Sequence, residues 1–178
     1  MKRKSLREQV GHKKGTKRSD KHWVDPEGAV WDSRYEYLVY KGFQDAGAKV
    51  RRTTKSDTFS FTLPIRGASC ASCGSAKVGQ LRHYTPDIHV TPRNSKHKAE
   101  CYYVEAKGFL RAKQRSLLRA FYKENPDSSV RYVLQRDYPT GAVSKRTGQR
   151  SSIIKWFNKY LPNAKVIEWK GNPPEDWI

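Results

Sequence analysis

The sequence predicts an α/β fold, a mixed β-sheet flanked by helices, and three observations carry that prediction. A strand, helix, strand order runs from Tyr102 to Leu134, which implies a parallel crossover. The runs around Asp87 and from Lys49 to Leu63 read as short strands bounded by turn residues. Two other segments place apolar residues at helical spacing. At 178 residues the chain is about one domain long and can bury a real core. Residues 1–22 read as a basic arm and 23–178 as the folded domain, interrupted by a small-residue loop at 67–79.

Charge narrows the partner. The chain carries 36 Lys and Arg against 17 Asp and Glu, a net charge of +19, and an excess of that size calls for a polyanion. Nucleic acid is the first expectation. No apolar run approaches the roughly 18 residues of a membrane span, and the N-terminal stretch lacks a signal-peptide core, so no membrane partner is expected. Three cysteines do not describe a disulfide framework, so a reducing, cytoplasmic location is expected.

Met1 to His22 holds nine Lys and Arg against Glu8 and Asp20. It reads either as an arm laid along phosphates, gaining affinity by counterion release, or as a solvated tail. From Ser33 to about Ala48, Tyr35, Leu38, Val39, Gly42 and Phe43 fall on one helical face. Asp32 or Ser33 can cap its start and Gly47 suits its end. Glu36 lies at the border of that face; from the pattern alone it is a first-turn acid favoured by the helix dipole. Two short strands follow, Lys49 to Arg52 and Thr58 to Leu63, closed by Pro64. The loop then carries Cys70-Ala-Ser-Cys73-Gly, whose spacing suits half of a structural Zn²⁺ site. His83 and Cys101, or a second copy of the loop in a dimer, could complete it; the alternative is two reduced, unliganded thiols.

The most informative stretch runs from Tyr84 to Gly108. Asp87 is flanked by Tyr84, Ile88 and Val90, and Cys101-Tyr102-Tyr103-Val104 leads into Glu105-Ala106-Lys107, so both ends read as strands joined by a polar connection from Thr91 to Glu100. Strand side chains alternate, so Glu105 and Lys107 point the same way, and pairing of the two strands would bring Asp87 to them. Two carboxylates and an ammonium at one place suit a hard cation such as Mg²⁺ or Mn²⁺. A helix from Leu110 to Glu124 follows, with Arg111, Arg115, Arg119 and Lys123 at four-residue spacing, either a grip on a phosphate backbone or a solvated face. Val130 to Leu134 is a strand, Gln135 to Arg150 a long basic loop with Arg136, Lys145, Arg146 and Arg150, and Ser151 or Ser152 caps a helix through Ile153, Trp156, Phe157 and Tyr160. Ala164 to Trp169 is a last strand and Pro173 to Ile178 a docked tail.

Pro86-Asp87 followed after 17 residues by Glu105-Ala106-Lys107 matches the PD-(D/E)xK nuclease signature. With Tyr84-Thr85, Val104, Gly108, the basic helix and the Pro-Pro-Glu-Asp-Trp-Ile tail, the chain from Trp31 to Ile178 resembles the bacteriophage endonuclease I family of Holliday-junction resolvases. That resemblance implies a restriction-endonuclease-like core, an intertwined homodimer and paired cuts in branched DNA. It implies that Asp87, Glu105 and the Ala106 carbonyl hold one Mg²⁺ or Mn²⁺, that Glu36 serves a second, and that Lys107 activates water and stabilises the phosphorane. The Cys70 to Gly79 loop departs from that family's pattern. Two other readings stand beside it: a nuclease of the same superfamily acting on linear or nicked duplex, and a non-catalytic nucleic-acid-binding module whose acids pair with Lys and Arg.

Overall fold

The computed structural model describes residues 22–65, 72, 79–93, 101–143 and 147–178. Two compact units are distinguished, one ending at Arg34 and one from Tyr35 to Ile178. In the first, β1 (Trp23–Val24) pairs antiparallel with β2 (Val30–Trp31). Asp25 ties that turn together: Oδ1 accepts the N–H groups of Glu27 (3.0 Å) and Ala29 (2.8 Å), and Oδ2 accepts the Trp31 indole N–H (2.9 Å). The indole bond above all holds its carboxyl below the usual range.

The second unit is built on a five-stranded mixed sheet. Its strands are β3 (Lys49–Arg52), β6 (Ile88–Thr91), β7 (Tyr102–Lys107), β8 (Val130–Leu134) and β11 (Val166–Glu168), in the order β11-β8-β7-β6-β3. The β3–β6 and β6–β7 pairs are antiparallel; β7–β8 and β8–β11 are parallel. The parallel crossover expected from Tyr102 to Leu134 is therefore present, with α2 (Ala112–Glu124) between its strands. β8 is apolar on both faces, as a central parallel strand should be: Val130, Tyr132 and Leu134 join one core and Val133 the other.

Each face has its own cover. α1 (Arg34–Asp45) buries Val39 and Phe43 against Ile88, Val90, Tyr102 and Val104. Gly42 matters here, since a Cβ would lie 2.6 Å from the Trp169 ring, which stacks on Phe43 at 6.1 Å. Gly47, at φ +89°, ends the helix as expected. The tail docks on this face through Trp177, which is buried, and its carbonyl accepts the Tyr102 hydroxyl. On the opposite face, α2 contributes Leu118 and Phe121, α3 (Ile153–Tyr160) contributes Ile153 and Phe157, and Leu110, just before α2, joins them in the core with Tyr132. Ser152 caps α3 as expected, its Oγ accepting the Lys155 N–H at 3.2 Å.

Two ribbons differ from the sequence reading. β4 (Phe59–Pro64) pairs with β5 (Gly79–Tyr84), a strand not anticipated because its residues are nearly all exposed and show no buried alternation. Gln135 to Arg150 is not one long loop: β9 (Pro139–Val143) pairs antiparallel with β10 (Arg150–Ser152). Pro139 and Gly141 hid that pairing, being residues that usually mark turns.

One polar row crosses the sheet on the α2 side. Arg51, His89 and Tyr103 are register neighbours on β3, β6 and β7. Asp57, in a single 3₁₀ turn Lys55–Asp57, caps the row. Its carboxylate takes both Arg51 guanidinium nitrogens at 2.8 Å, the Thr54 N–H at 2.8 Å and the Tyr103 hydroxyl at 3.1 Å. Arg51 above all holds the Asp57 carboxyl well below the usual carboxylate range. A depressed folded-state pKa contributes stability that is complete above the unfolded value of about 4 and is lost progressively as the pH falls from there through the lower folded value. Asp57→Asn should therefore destabilise the fold by about 2 kcal/mol at neutral pH and flatten the acid limb of stability below about pH 4. Urea midpoints at pH 7 and pH 3 measure this; equal losses at both would refute it.

Candidate active site

The β6–β7 register builds the site. Ile88 faces Val104 and His89 faces Tyr103 where the ladder ends, and Asp87, the next residue, bonds the backbone of Val104 and Ala106 on either side of Glu105. Asp87 and Glu105 line the same cavity there. Asp87 is not within a strand, as the sequence suggested, but on a bend just before β6. Pro86 cannot donate to a ladder, and the bend is held from both sides instead. The Asp87 N–H donates to the Val104 carbonyl (3.2 Å), its own carbonyl accepts the Thr53 N–H (3.3 Å), and the Thr53 hydroxyl donates to the Pro86 carbonyl. The Asp87 side chain is fixed in turn, Oδ2 accepting the Ala106 N–H at 2.8 Å. Ala106 thus enters the site through its amide.

Glu105 and Lys107 share a face of β7, as the two-residue spacing predicts, and the Lys107 ammonium pairs with Glu105 Oε1. Glu105 is only 2% exposed, and its Oε2 is buried without a hydrogen-bond partner. The neighbouring Tyr84 phenol favours the charged form, but its hydroxyl donates to Tyr132 (3.4 Å) and does not bond Oε2. Burial raises the Glu105 pKa, against the pull of Lys107, while the negative charge of Glu36 pushes it further up. For Lys107, burial favours the neutral amine, yet the carboxylates of Glu105, Asp87 and Glu36 prevail and raise its pKa. The ammonium therefore stays charged at neutral pH. Glu36, buried in the first turn of α1, acts on this group from the helix covering the other face of the sheet.

Asp87, Glu105 and Lys107 line a cavity of about 350 Å³, closed on its other side by Leu110, Gln114 and Leu117. Among the described residues, no three His, Cys, Asp or Glu side chains form a metal-holding cluster. A hard ion does not require one, since Mg²⁺ commonly takes one or two carboxylates and keeps several waters. The unpartnered Oε2 of Glu105 beside Asp87 suits that pattern: buried polar atoms are nearly always satisfied, and one of the missing partners here could be a cation.

The remaining expected residues scatter. Cys70, Cys73, Lys145 and Arg146 lie outside the described residues, as does the N-terminal arm to residue 21. Of the suggested zinc partners, His83 sits on β5 with Nδ1 by Ser60 Oγ (3.1 Å), and Cys101 just before β7 with Sγ by Thr91 Oγ1 (3.4 Å). Arg111 is exposed at the start of α2. Arg115 and Arg119 lean on α3, over the Trp156 ring at 6.0 Å and the Tyr160 ring at 5.0 Å. They hold helix to helix as well as presenting charge. Arg150 is exposed on β10. Sequence reasoning did not assign Tyr84 or Gln114 to the site; Tyr84, three residues before Asp87 beside a Pro, was the legible one.

Among the described residues no helix is long and apolar enough to cross a membrane. No protein-family model matches the chain, nor does any curated protein or solved structure.

Proposed function

We propose that the chain is a divalent-metal-dependent endonuclease that cuts phosphodiester bonds in branched DNA, two copies pairing their cuts across a four-way junction. The observation that carries the chemistry is the presence of Asp87 and Glu105 beside the Lys107 ammonium in one cavity. The net charge of +19 supports a nucleic-acid substrate. The branched substrate and the homodimer rest on the motif resemblance from Trp31 to Ile178.

Asp87, Glu105 and the Ala106 carbonyl would hold Mg²⁺ or Mn²⁺, with Glu36 serving a second ion. A bound ion supplies Lewis-acid polarisation of the phosphoryl group and a lowered pKa for the attacking water. Lys107 has a charged donor where negative charge develops on the non-bridging oxygens. Leu110 and Leu117 put apolar surface beside the charged groups of the cavity. Exposed Arg111 and Arg150 provide sequence-independent phosphate contacts.

A gel comparing a labelled four-way junction with duplexes of the same arm sequences, in Mg²⁺, tests the substrate. Paired nicks on opposing strands of the junction, with the duplexes largely intact, are expected. Equal cutting of junction and duplex would reduce the reading to a linear-duplex nuclease.

A further inference from the structure

A second cavity, of about 300 Å³, adjoins the carboxylate cleft and shares His83, Tyr84, Leu117 and Leu118 with it as a common wall. Its other lining differs in kind. Phe61 and Phe121 meet edge to face at 5.9 Å, and Phe121 meets Tyr84 at 4.8 Å, so buried rings floor the cavity and half-buried Tyr84 and Leu117 offer its accessible apolar surface. Leu63 of β4 adds a half-buried aliphatic side. Arg82 and Lys113, both exposed, bring positive charge to the opening. Among the described residues no acid lines this cavity.

We propose that this cavity receives one unstacked nucleobase of the DNA, so that the preferred substrate strand carries an unpaired or unstacked nucleotide next to the phosphate held at Asp87, Glu105 and Lys107. The inference rests on the nuclease reading and deepens it. The size is at the low end of small-ligand pockets, suited to one flat ring system rather than a run of peptide side chains. A base can lie flat against half-buried Tyr84, Leu63 and Leu117 whatever its identity, since every base has an apolar π face, and the cations at the rim complement the flanking phosphates. The shared wall supplies the geometry: a base on one side of Tyr84 and Leu117 leaves its own backbone on the side of the carboxylates. Extrusion costs least where a base is already unpaired, as at a branch point or a bulge, so the pocket selects for irregular DNA without reading sequence.

The test is binding in EDTA, where cleavage is prevented, of duplexes carrying a single unpaired nucleotide or an abasic residue at the same position. Wild-type protein should bind the base-bearing DNA about five- to thirtyfold more tightly than the abasic one. Leu63→Trp, which fills the cavity from outside the carboxylate cleft, should abolish that preference while leaving affinity for abasic DNA unchanged. In parallel, 5-iodouracil at the unpaired position of wild-type complexes should photo-crosslink to peptides spanning 59–64, 79–84 or 113–121, a readout that needs no variant. Equal affinity for base and abasic DNA, a preference that survives Leu63→Trp, or crosslinks confined to other segments would overturn the pocket. Base preference in a protein that cuts no DNA in Mg²⁺ would instead overturn the nuclease reading and leave the pocket standing.

Discussion

Glu105→Gln lowers DNA cleavage by about 10²- to 10³-fold or more while junction binding stays within about twofold of wild type. The substitution keeps the shape of a side chain that is 2% exposed and removes only its charge. Two things go with that charge: the carboxylate beside Asp87, and the anion that helps to keep the Lys107 ammonium charged. On the proposed nuclease reading DNA affinity would come from surface cations, which the substitution does not touch. The wild-type pH profile follows from the same group. Burial raises the Glu105 pKa above its ordinary 4.5, and cation binding needs the ionised form, so activity falls as the pH drops through that raised value. Cleavage retained by Glu105→Gln would remove the assignment.

Lys107→Ala costs a similar factor at neutral pH, with a signature that separates it from loss of a metal ligand. Lys107 is the strongest influence opposing burial at Glu105, through both its charge and its hydrogen bond. Without it the Glu105 pKa rises further, the ionised fraction at neutral pH falls, and the acidic limb of the activity profile moves to higher pH. Part of the lost rate should return as the pH is raised, whereas Glu105→Gln has no such recovery. The portion that does not return measures the missing positive charge beside the developing phosphorane. An acidic limb that stays in place, or moves to lower pH, would show that Lys107 does not act on Glu105.

Much of this site was legible because period-two alternation is unforgiving. Glu105 and Lys107 had to share a face once Tyr102 to Val104 formed a strand, and the buried strand Val130 to Leu134 had to lie parallel to it across the α2 crossover. What was not legible depended on register and on single tertiary bonds. That Asp87 comes beside Glu105 depends on the pairing of Ile88 with Val104 and on the bonds of Asp87 to Val104 and Ala106, which no local pattern encodes. Its place on a bend needed Thr53, 34 residues away, to hold the Pro86 and Asp87 carbonyls. The Asp57 cap was missed for the same reason, since a lone acid six residues after Arg51 looks like any surface charge until the two meet in a bidentate pair. Arg115 and Arg119 were visible as a cationic stripe, but their stacking on Trp156 and Tyr160 requires α3 to pack alongside.

The most direct measurement is the conversion of supercoiled plasmid by wild-type protein and by Asp87→Asn, each with Mg²⁺ and with EDTA. The account predicts nicked and linear DNA only for wild type in Mg²⁺, with Asp87→Asn inactive although it folds and binds DNA. Intact plasmid under all four conditions, or cutting that proceeds in EDTA or without the Asp87 carboxylate, would contradict it.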